Sequence, residues 1–448
     1  MDILFSTELQ SLYENRVTNL DKQQLIPEDI IAIVDELSSR DMVNKTVIGH
    51  SFSGQALNCL TLGFGPKTVV MWTQMHGDES TATAAVLDVI HLLSAELVTS
   101  INADWQSLLT IHIIPMLNPD GAQVGTRENA QGIDINRDAM ALQTPEGRAL
   151  DTLVTKTQPH FAFNLHDQHD YYRCGTDGKS STLAFLAPAF NSKKTIDPAR
   201  QKAMALIAEL QLQAKPFLPD NIARYDDEYS ARSFGDKIAE RGISTILIES
   251  GHYPNDPNRQ VARSMNVFTL LHALDMLCDE ASWTDDKTIK ELEERYWQIP
   301  ENREYQLCDL LIKNLGFANN SFTTDIAVRK YDRFEKSFFV ADIGDLHEHY
   351  GLETIEASGY LYDPGRSYLL SEEICLTNES YISLLKSGFS HFVGDPLLID
   401  NHSDYTVIEN PKYWHDDLKM MKGVIPAGFL CKHGERKFAF IMGELVAL

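Results

Sequence analysis

Between Thr46 and about Glu280, short apolar runs take turns with helical stretches, and this alternation narrows the choice of folds most. The runs at 68–75, 109–117, 161–165, 183–187 and 243–248 are brief, rich in β-branched or aromatic residues, and lack regular polar alternation. Strands look like that when both of their faces are covered. Helical spacing at 81–97 and 199–213 separates some of them. Strand and helix in alternation predict an α/β domain, a central sheet with helices on both faces.

The flanks differ. Residues 1–44 predict two short helices, the second with apolar residues at helical spacing and Pro27 in its first turn. Beyond about 285 a charged helix at 287–296 leads into short strand-like pieces at 338–341, 358–361, 368–370 and 437–441, punctuated by Gly, Asp and Asn. Lys432-His-Gly-Glu-Arg-Lys437 has the composition of a hairpin turn. The expected organisation is a helical segment over 1–45, an α/β domain over 46–284 and a smaller β-rich accessory domain over 285–448. A chain of 448 residues is long enough for two to four domains.

Charge excludes some partners. With 64 acidic and 39 basic residues the net charge is −25, which disfavours binding to phosphate backbones and anionic lipid surfaces. No run of about 18 apolar residues occurs, so no membrane-spanning helix is expected. Six scattered cysteines without a CxxC pair fit a reducing compartment or plain core usage. The first residues lack a basic stretch followed by an apolar one, so a cytoplasmic location is expected.

Three of the predicted strands end in residues that bind metals or move protons. The first runs directly into His76-Gly-Asp-Glu79, the second is Phe161-Ala-Phe-Asn-Leu-His166, and the third is Ile243-Ser-Thr-Ile-Leu-Ile-Glu249. Carboxyl ends of strands are where open α/β sheets place their ligands. A glutamate closing an apolar strand is costly unless it has a partner or a task. Two histidines and a glutamate form a three-ligand zinc site with an open position for water, and a separate glutamate supplies a general base.

These motifs resemble those of the zinc carboxypeptidase family, the carboxypeptidase A-like metallopeptidases. The resemblance covers about residues 46–275. It runs through Ile48-Gly-His-Ser-Phe-Ser-Gly54, Met75-His-Gly-Asp-Glu79, Asn118-Pro-Asp-Gly121, Arg127-Glu-Asn129, Gly132-Ile-Asp-Ile-Asn-Arg137, Leu165-His166 and Ile248-Glu249. It implies a mixed central sheet and one zinc per chain, held by His76, Glu79 and His166. It further implies Glu249 as the base acting on the zinc-bound water, and Arg127 polarising the scissile carbonyl. Asn136 and Arg137 would grip a terminal carboxylate, and Asp134 would orient His76. The family's loop tyrosine corresponds to Tyr225 or Tyr229.

Some positions stay open at this level. His169 and Asp170 follow His166 closely and are either supporting residues or ligands of a second metal. Asp226, Asp227 and Glu228 are either a solvated acidic loop or a pocket wall that favours basic substrates. Phe234 lies near where the family sets specificity. His347 and His349 are two apart without an evident third ligand, which predicts surface histidines. The resemblance implies a metallocarboxypeptidase acting on peptides with a free carboxylate. The alternative within the same chemistry is an amidohydrolase or deacylase acting on acyl-amino acids or murein peptides. A non-catalytic binding protein would need a broken ligand set, and the set here is complete.

Overall fold

The computed structural model describes residues 7–176, 179–304, 307–317, 322–330, 337–410 and 420–448. Two compact units make up the chain, Met1–Arg303 and Glu304–Leu448.

The first unit is built on an eight-stranded sheet. Its strands are β1 (Val43–His50), β2 (Ala56–Gly63), β3 (Lys67–Thr73), β4 (Leu109–Ile114), β5 (Phe161–Asp167), β6 (Leu183–Leu186), β7 (Ile222–Arg224) and β8 (Ser244–Ser250). Their spatial order is β1-β2-β4-β3-β5-β8-β6-β7. The central strands β4, β3, β5 and β8 are mutually parallel, while β1 and β2 pair antiparallel, as do β8 and β6. The sheet is therefore mixed, as expected. The β1–β2 hairpin and the short β7 carry no continuous apolar run, which is why sequence texture under-reports them.

Helices cover both faces. On one, Val69, Met71, Phe161, Phe163, Leu165, Ile246 and Ile248 pack into a core with α1 (Thr7–Glu14), α2 (Pro27–Ser38), α3 (Thr81–Ser94), α5 (Pro198–Ala214) and α6 (Gln260–Cys278). On the other, Val70, Trp72 and Ala162 meet Leu150, Leu153 and Val154 of α4 (Pro145–Thr157). The alternation of β5 between the two cores puts His166 on the α4 face with Ala162, because side chains two apart share a face. Among the described residues no helix is long and apolar enough to cross a membrane.

The N-terminal segment joins the first core through Leu9 and Leu12 of α1, Leu20 and Leu25 of the connecting loop, and Ile30 and Val34 of α2. Helix α7 (Asp286–Gln298) also belongs to this unit, so the structural boundary lies at 303/304 instead of 284/285. Its sequence is strongly charged, but one stripe of Ile289, Leu292 and Tyr296 is buried against the first core. The Tyr296 hydroxyl accepts the Ala187 N–H at 3.2 Å. A single apolar stripe is enough to dock a surface helix.

The second unit is β-rich. An eight-stranded sheet holds the strands Leu307–Phe317, Thr323–Lys330, Phe338–Gly344 and Tyr350–Glu356, with Leu361–Asp363, Ala427–Lys432, Glu435–Ile441 and Glu444–Ala447. Among the described residues the unit also holds two small parallel pairs, the helix Asn378–Lys386 and a single 3-10 turn, Pro396–Leu398. The predicted hairpin at 432–437 is present, with His433 and Gly434 at φ 53° and 79°. Two positive φ values match the twist of the flanking strands.

Candidate metal and catalytic centre

Strand β3 ends at Thr73, and the chain then turns sharply. Gln74 takes a left-handed conformation at φ 47°, a cost of about 1–3 kcal/mol for a non-glycine residue. Its side chain offsets that cost: Nε2 donates to Leu25 O and Gly77 O at 2.8 Å each, and Oε1 accepts from Thr83 Oγ1 at 2.8 Å. Gly77 is required by contact, since a Cβ there would lie 2.1 Å from the Gly121 backbone. Asn118 closes the arrangement. Its Nδ2 donates to Met75 O, Arg127 O and Glu128 O at 3.2–3.3 Å, so one amide ties the His76 loop to the Arg127 loop.

The turn brings three donors together. His76, Glu79 and His166 are buried, and their ligand atoms lie within 4.8 Å of one another. Nδ1 of His76 is 2.7 Å from Glu79 Oε1, and Nδ1 of His166 is 2.7 Å from Glu79 Oε2. The outer nitrogen of His76, Nε2, is 3.1 Å from Asp134 Oδ1. Two imidazole nitrogens and a carboxylate, with a second carboxylate behind one histidine, are what zinc takes from proteins. The residues fit the ion.

Electrostatics agree with the geometry. Burial pulls the His76 imidazole down, but Glu79's charge and the bonds to Asp134 and Glu79 outweigh it, and the pKa rises to about 9. Burial opposes ionisation of Glu79, yet the two imidazoles hold its carboxyl well below the usual range. His166 is lowered, because burial exceeds the pull of Glu79. Asp134 is pushed well down despite its burial, by His76 and then Arg127. A cation seated among these atoms would compete with protons for the same nitrogens and oxygens.

Glu249 sits beside this set by register. β5 and β8 are parallel neighbours, and His166 lies directly opposite Glu249 in the ladder. Burial, and next the charge of Glu79, push the Glu249 carboxyl well above the normal carboxylate range. Its Oε2 is buried without a hydrogen-bond partner. A buried, unpaired carboxylate oxygen costs free energy, so its retention beside a donor set marks a functional group.

Arg127 reaches the same place. Its Nε donates to Asp134 Oδ2 at 3.0 Å, and Nη1 lies 3.1 Å from His76 Nδ1 and 3.4 Å from Glu79 Oε1. Asn136 follows within a short turn: its Oδ1 accepts the Phe234 N–H at 2.9 Å, and its Nδ2 is 3.5 Å from His166 Nε2. Arg137 is exposed and donates to Asn136 O at 2.8 Å and Ser233 Oγ at 3.2 Å.

Other sequence candidates lie differently. Asp170 accepts from Arg259 Nη2 at 2.7 Å, and His169 is exposed and stacks on Tyr172 at 4.5 Å. Neither joins a group of three metal-type donors among the described residues. The Tyr225 hydroxyl is 2.9 Å from that of Tyr172, and Tyr229 is half-buried four residues on. Asp227 is no free acidic wall: Arg200 Nη2 and Lys194 Nζ donate to it at 2.7 and 2.8 Å. Phe234 is buried in the core on the α4 face. His347 is exposed, as expected, beside Asp345.

Arg259 is a support that sequence reading does not single out. It is buried, with φ 52°. It donates to Ser250 O at 2.8 Å and Gln168 O at 2.7 Å, besides Asp170. It thereby clamps the two strand ends that follow Glu249 and His166. Asp167, next to His166, anchors the start of α3 by accepting from Thr81 Oγ1 at 2.7 Å.

Comparison with known proteins agrees with this layout. Residues 30–182 match the family model described as zinc carboxypeptidase, a span that includes His76, Glu79, Arg127, Asp134, Asn136, Arg137 and His166 but not Glu249. Over 138 residues the chain is 27% identical to an uncharacterized Zymomonas mobilis protein, covering 30% of this chain and 36% of that one. It is 27% identical over 145 residues to murein peptide amidase A of Escherichia coli, covering 26% of this chain and 54% of the amidase. The chain thus spans about half or less of the length of these curated relatives. A metallo-carboxypeptidase structure from Burkholderia cenocepacia shares the fold, with TM-score 0.50 and 18% identity over 58% of this chain and 71% of that one. The resemblance to the zinc carboxypeptidases is therefore shown, in a mixed α/β unit accompanied by a β-rich C-terminal one.

Proposed function

We propose that the chain is a zinc metallocarboxypeptidase that hydrolyses the amide bond next to a free C-terminal carboxylate. The observation that carries this is the register-paired end of β5 and β8. There the His76–Glu79–His166 donor set meets the buried, unpartnered Oε2 of Glu249. His76, Glu79 and His166 would hold zinc, which when bound would polarise a carbonyl and lower the pKa of water to about 7.

The chain's own residues do the rest. Glu249 accepts the proton of the attacking water at a carboxylate oxygen and delivers it to the leaving amine nitrogen. Arg127, fixed through Nε by Asp134 and through Nη1 beside Glu79, would present Nη2 to the charge that develops on the carbonyl oxygen. Asp134 also steadies His76 through its outer nitrogen. Exposed Arg137 offers a planar fork that matches a carboxylate, and Asn136 stands next to it.

Metal content is the first check. Dialysed protein should retain about one zinc per chain, as a three-ligand catalytic site does, and His76→Ala should lose it by elemental analysis. Stoichiometric zinc in a His76→Ala, His166→Ala double variant in which Cys375 is also replaced by Ser would exclude this donor set.

Substrate class is the second. A charge-assisted bond to a carboxylate contributes about 1.5–3 kcal/mol. Arg137→Ala should thus lower kcat/KM on a free-acid peptide about tenfold to two-hundredfold. The matching C-terminal amide should be little affected, and wild type should prefer acid over amide by a similar factor. Equal cleavage of both by wild type would exclude a free-carboxylate hydrolase.

An amidase of acyl-amino acids or murein peptides is the alternative, favoured by the 27% identity to murein peptide amidase A. Hydrolysis compared across C-terminally varied peptides, acyl-amino acids and murein peptides decides between them.

A further inference from the structure

The second unit holds another group of metal-type donors, well separated in sequence from the first. In the short parallel pair Ile374–Leu376 and Ile399–Asn401, Cys375 and Asp400 are direct cross-strand neighbours. Such neighbours project from the same face with Cβ atoms close together. His402 follows just after the second strand, and its N–H donates to Leu376 O at 2.8 Å, which holds it against the same pair. The imidazole Nε2 lies 2.9 Å from Asp400 Oδ2. The thiol sulfur, a carboxylate oxygen and an imidazole nitrogen all lie within 4.8 Å of one another.

We propose that Cys375, Asp400 and His402 form a second divalent-metal site, selective for zinc-like borderline cations over magnesium or calcium. Three features carry the inference. The donors are chemically mixed, a thiolate, an imidazole and a carboxylate, which is a zinc or cobalt set and a poor one for hard cations. They are brought together by backbone pairing and not by a chance meeting of long side chains. And the imidazole–carboxylate approach repeats that of the buried centre, where His76 and His166 each lie 2.7 Å from Glu79.

Tetrahedral zinc, with bonds of about 2.0–2.3 Å, needs its ligand atoms under about 4 Å apart. Cys375, Asp400 and His402 are all exposed, so side-chain rotation closes the remaining gap without moving the strands. The same exposure leaves the fourth position to water and makes the site weaker than the buried one. Bound metal would bridge two strands of only three residues each.

Cobalt titration of the full chain tests this, because the buried centre contains no sulfur. The first equivalent of Co²⁺ should bind without thiolate character. A second should bring a near-ultraviolet thiolate-to-cobalt charge-transfer absorption. Cys375→Ser should abolish that band and keep the first equivalent, and an unchanged circular dichroism spectrum and thermal unfolding profile should show that the β-rich unit is still folded. His402→Ala should weaken the second equivalent at least about tenfold, the lower end of what losing even an outer partner of a metal ligand costs. No charge-transfer band at excess cobalt, or a band that persists in Cys375→Ser, would overturn the proposal.

Discussion

Glu249→Gln should lower turnover by about 10²–10⁴, the usual worth of general acid–base catalysis, while zinc content stays unchanged. The substitution keeps the shape of the side chain and removes its ability to accept a proton. The same change should not lower thermal stability. In the native protein Glu249 Oε2 is buried and unpartnered, an arrangement that costs stability. Gln fills the same space and carries no charge in any state, so melting should occur at the same temperature or higher. Loss of activity without loss of stability or zinc is the signature of a working base. A variant with near-normal kcat would move proton transfer to another group.

Arg263→Ala should destabilise the first unit by about 3–5 kcal/mol, the cost of stranding one partner of a buried ion pair. Arg263 and Asp88 are almost wholly buried, with side-chain exposures of 1% and 2%. Two guanidinium nitrogens donate to the two Asp88 oxygens at 2.8 Å each. The pair also captures the N-terminal segment: Val17 N–H donates to Asp88 Oδ1 at 2.8 Å, and Arg263 Nη2 donates to Val17 O at 2.9 Å. Removing the arginine leaves a buried carboxylate and an unsatisfied carbonyl. Denaturant titration should show a lower midpoint. A double change to apolar residues of similar volume, Arg263→Met with Asp88→Leu, should recover much of the loss, because it removes both charges together. A single variant within about 1 kcal/mol of wild type would mean that water reaches the pair.

The residues legible in the sequence were those that local chemistry makes conspicuous. His76, Glu79, His166 and Glu249 stand at the ends of apolar strands, where a polar side chain needs a reason, and the structure brings all four to one place. Buried central strands were legible for the same reason, as unbroken apolar runs.

What was hidden depends on pairing across long separations. Nothing local in Arg259 says that it will bind carbonyls at 168 and 250. The acidic loop looks solvated until Arg200, buried on α5, is seen to hold Asp227. Helix α7 reads as a charged linker because three buried side chains are outweighed in composition by its charges. Edge strands such as β1, exposed along much of its length, lack the apolar signal altogether.

The facing of His166 and Glu249 across adjacent ladder positions has an evolutionary consequence. A distance set by sheet pairing is indifferent to how much chain is spliced between the two strands. The segments joining β5 to β8 can lengthen, shorten or change sequence, and the spacing between His166 and Glu249 is preserved. Insertions that reshape what the cleft admits are therefore tolerated more readily than any slip of one strand against the other, since a one-residue slip turns one of these side chains to the opposite face. On the function proposed above, such a scaffold would let the preferred leaving group drift while the bond-breaking step stays put.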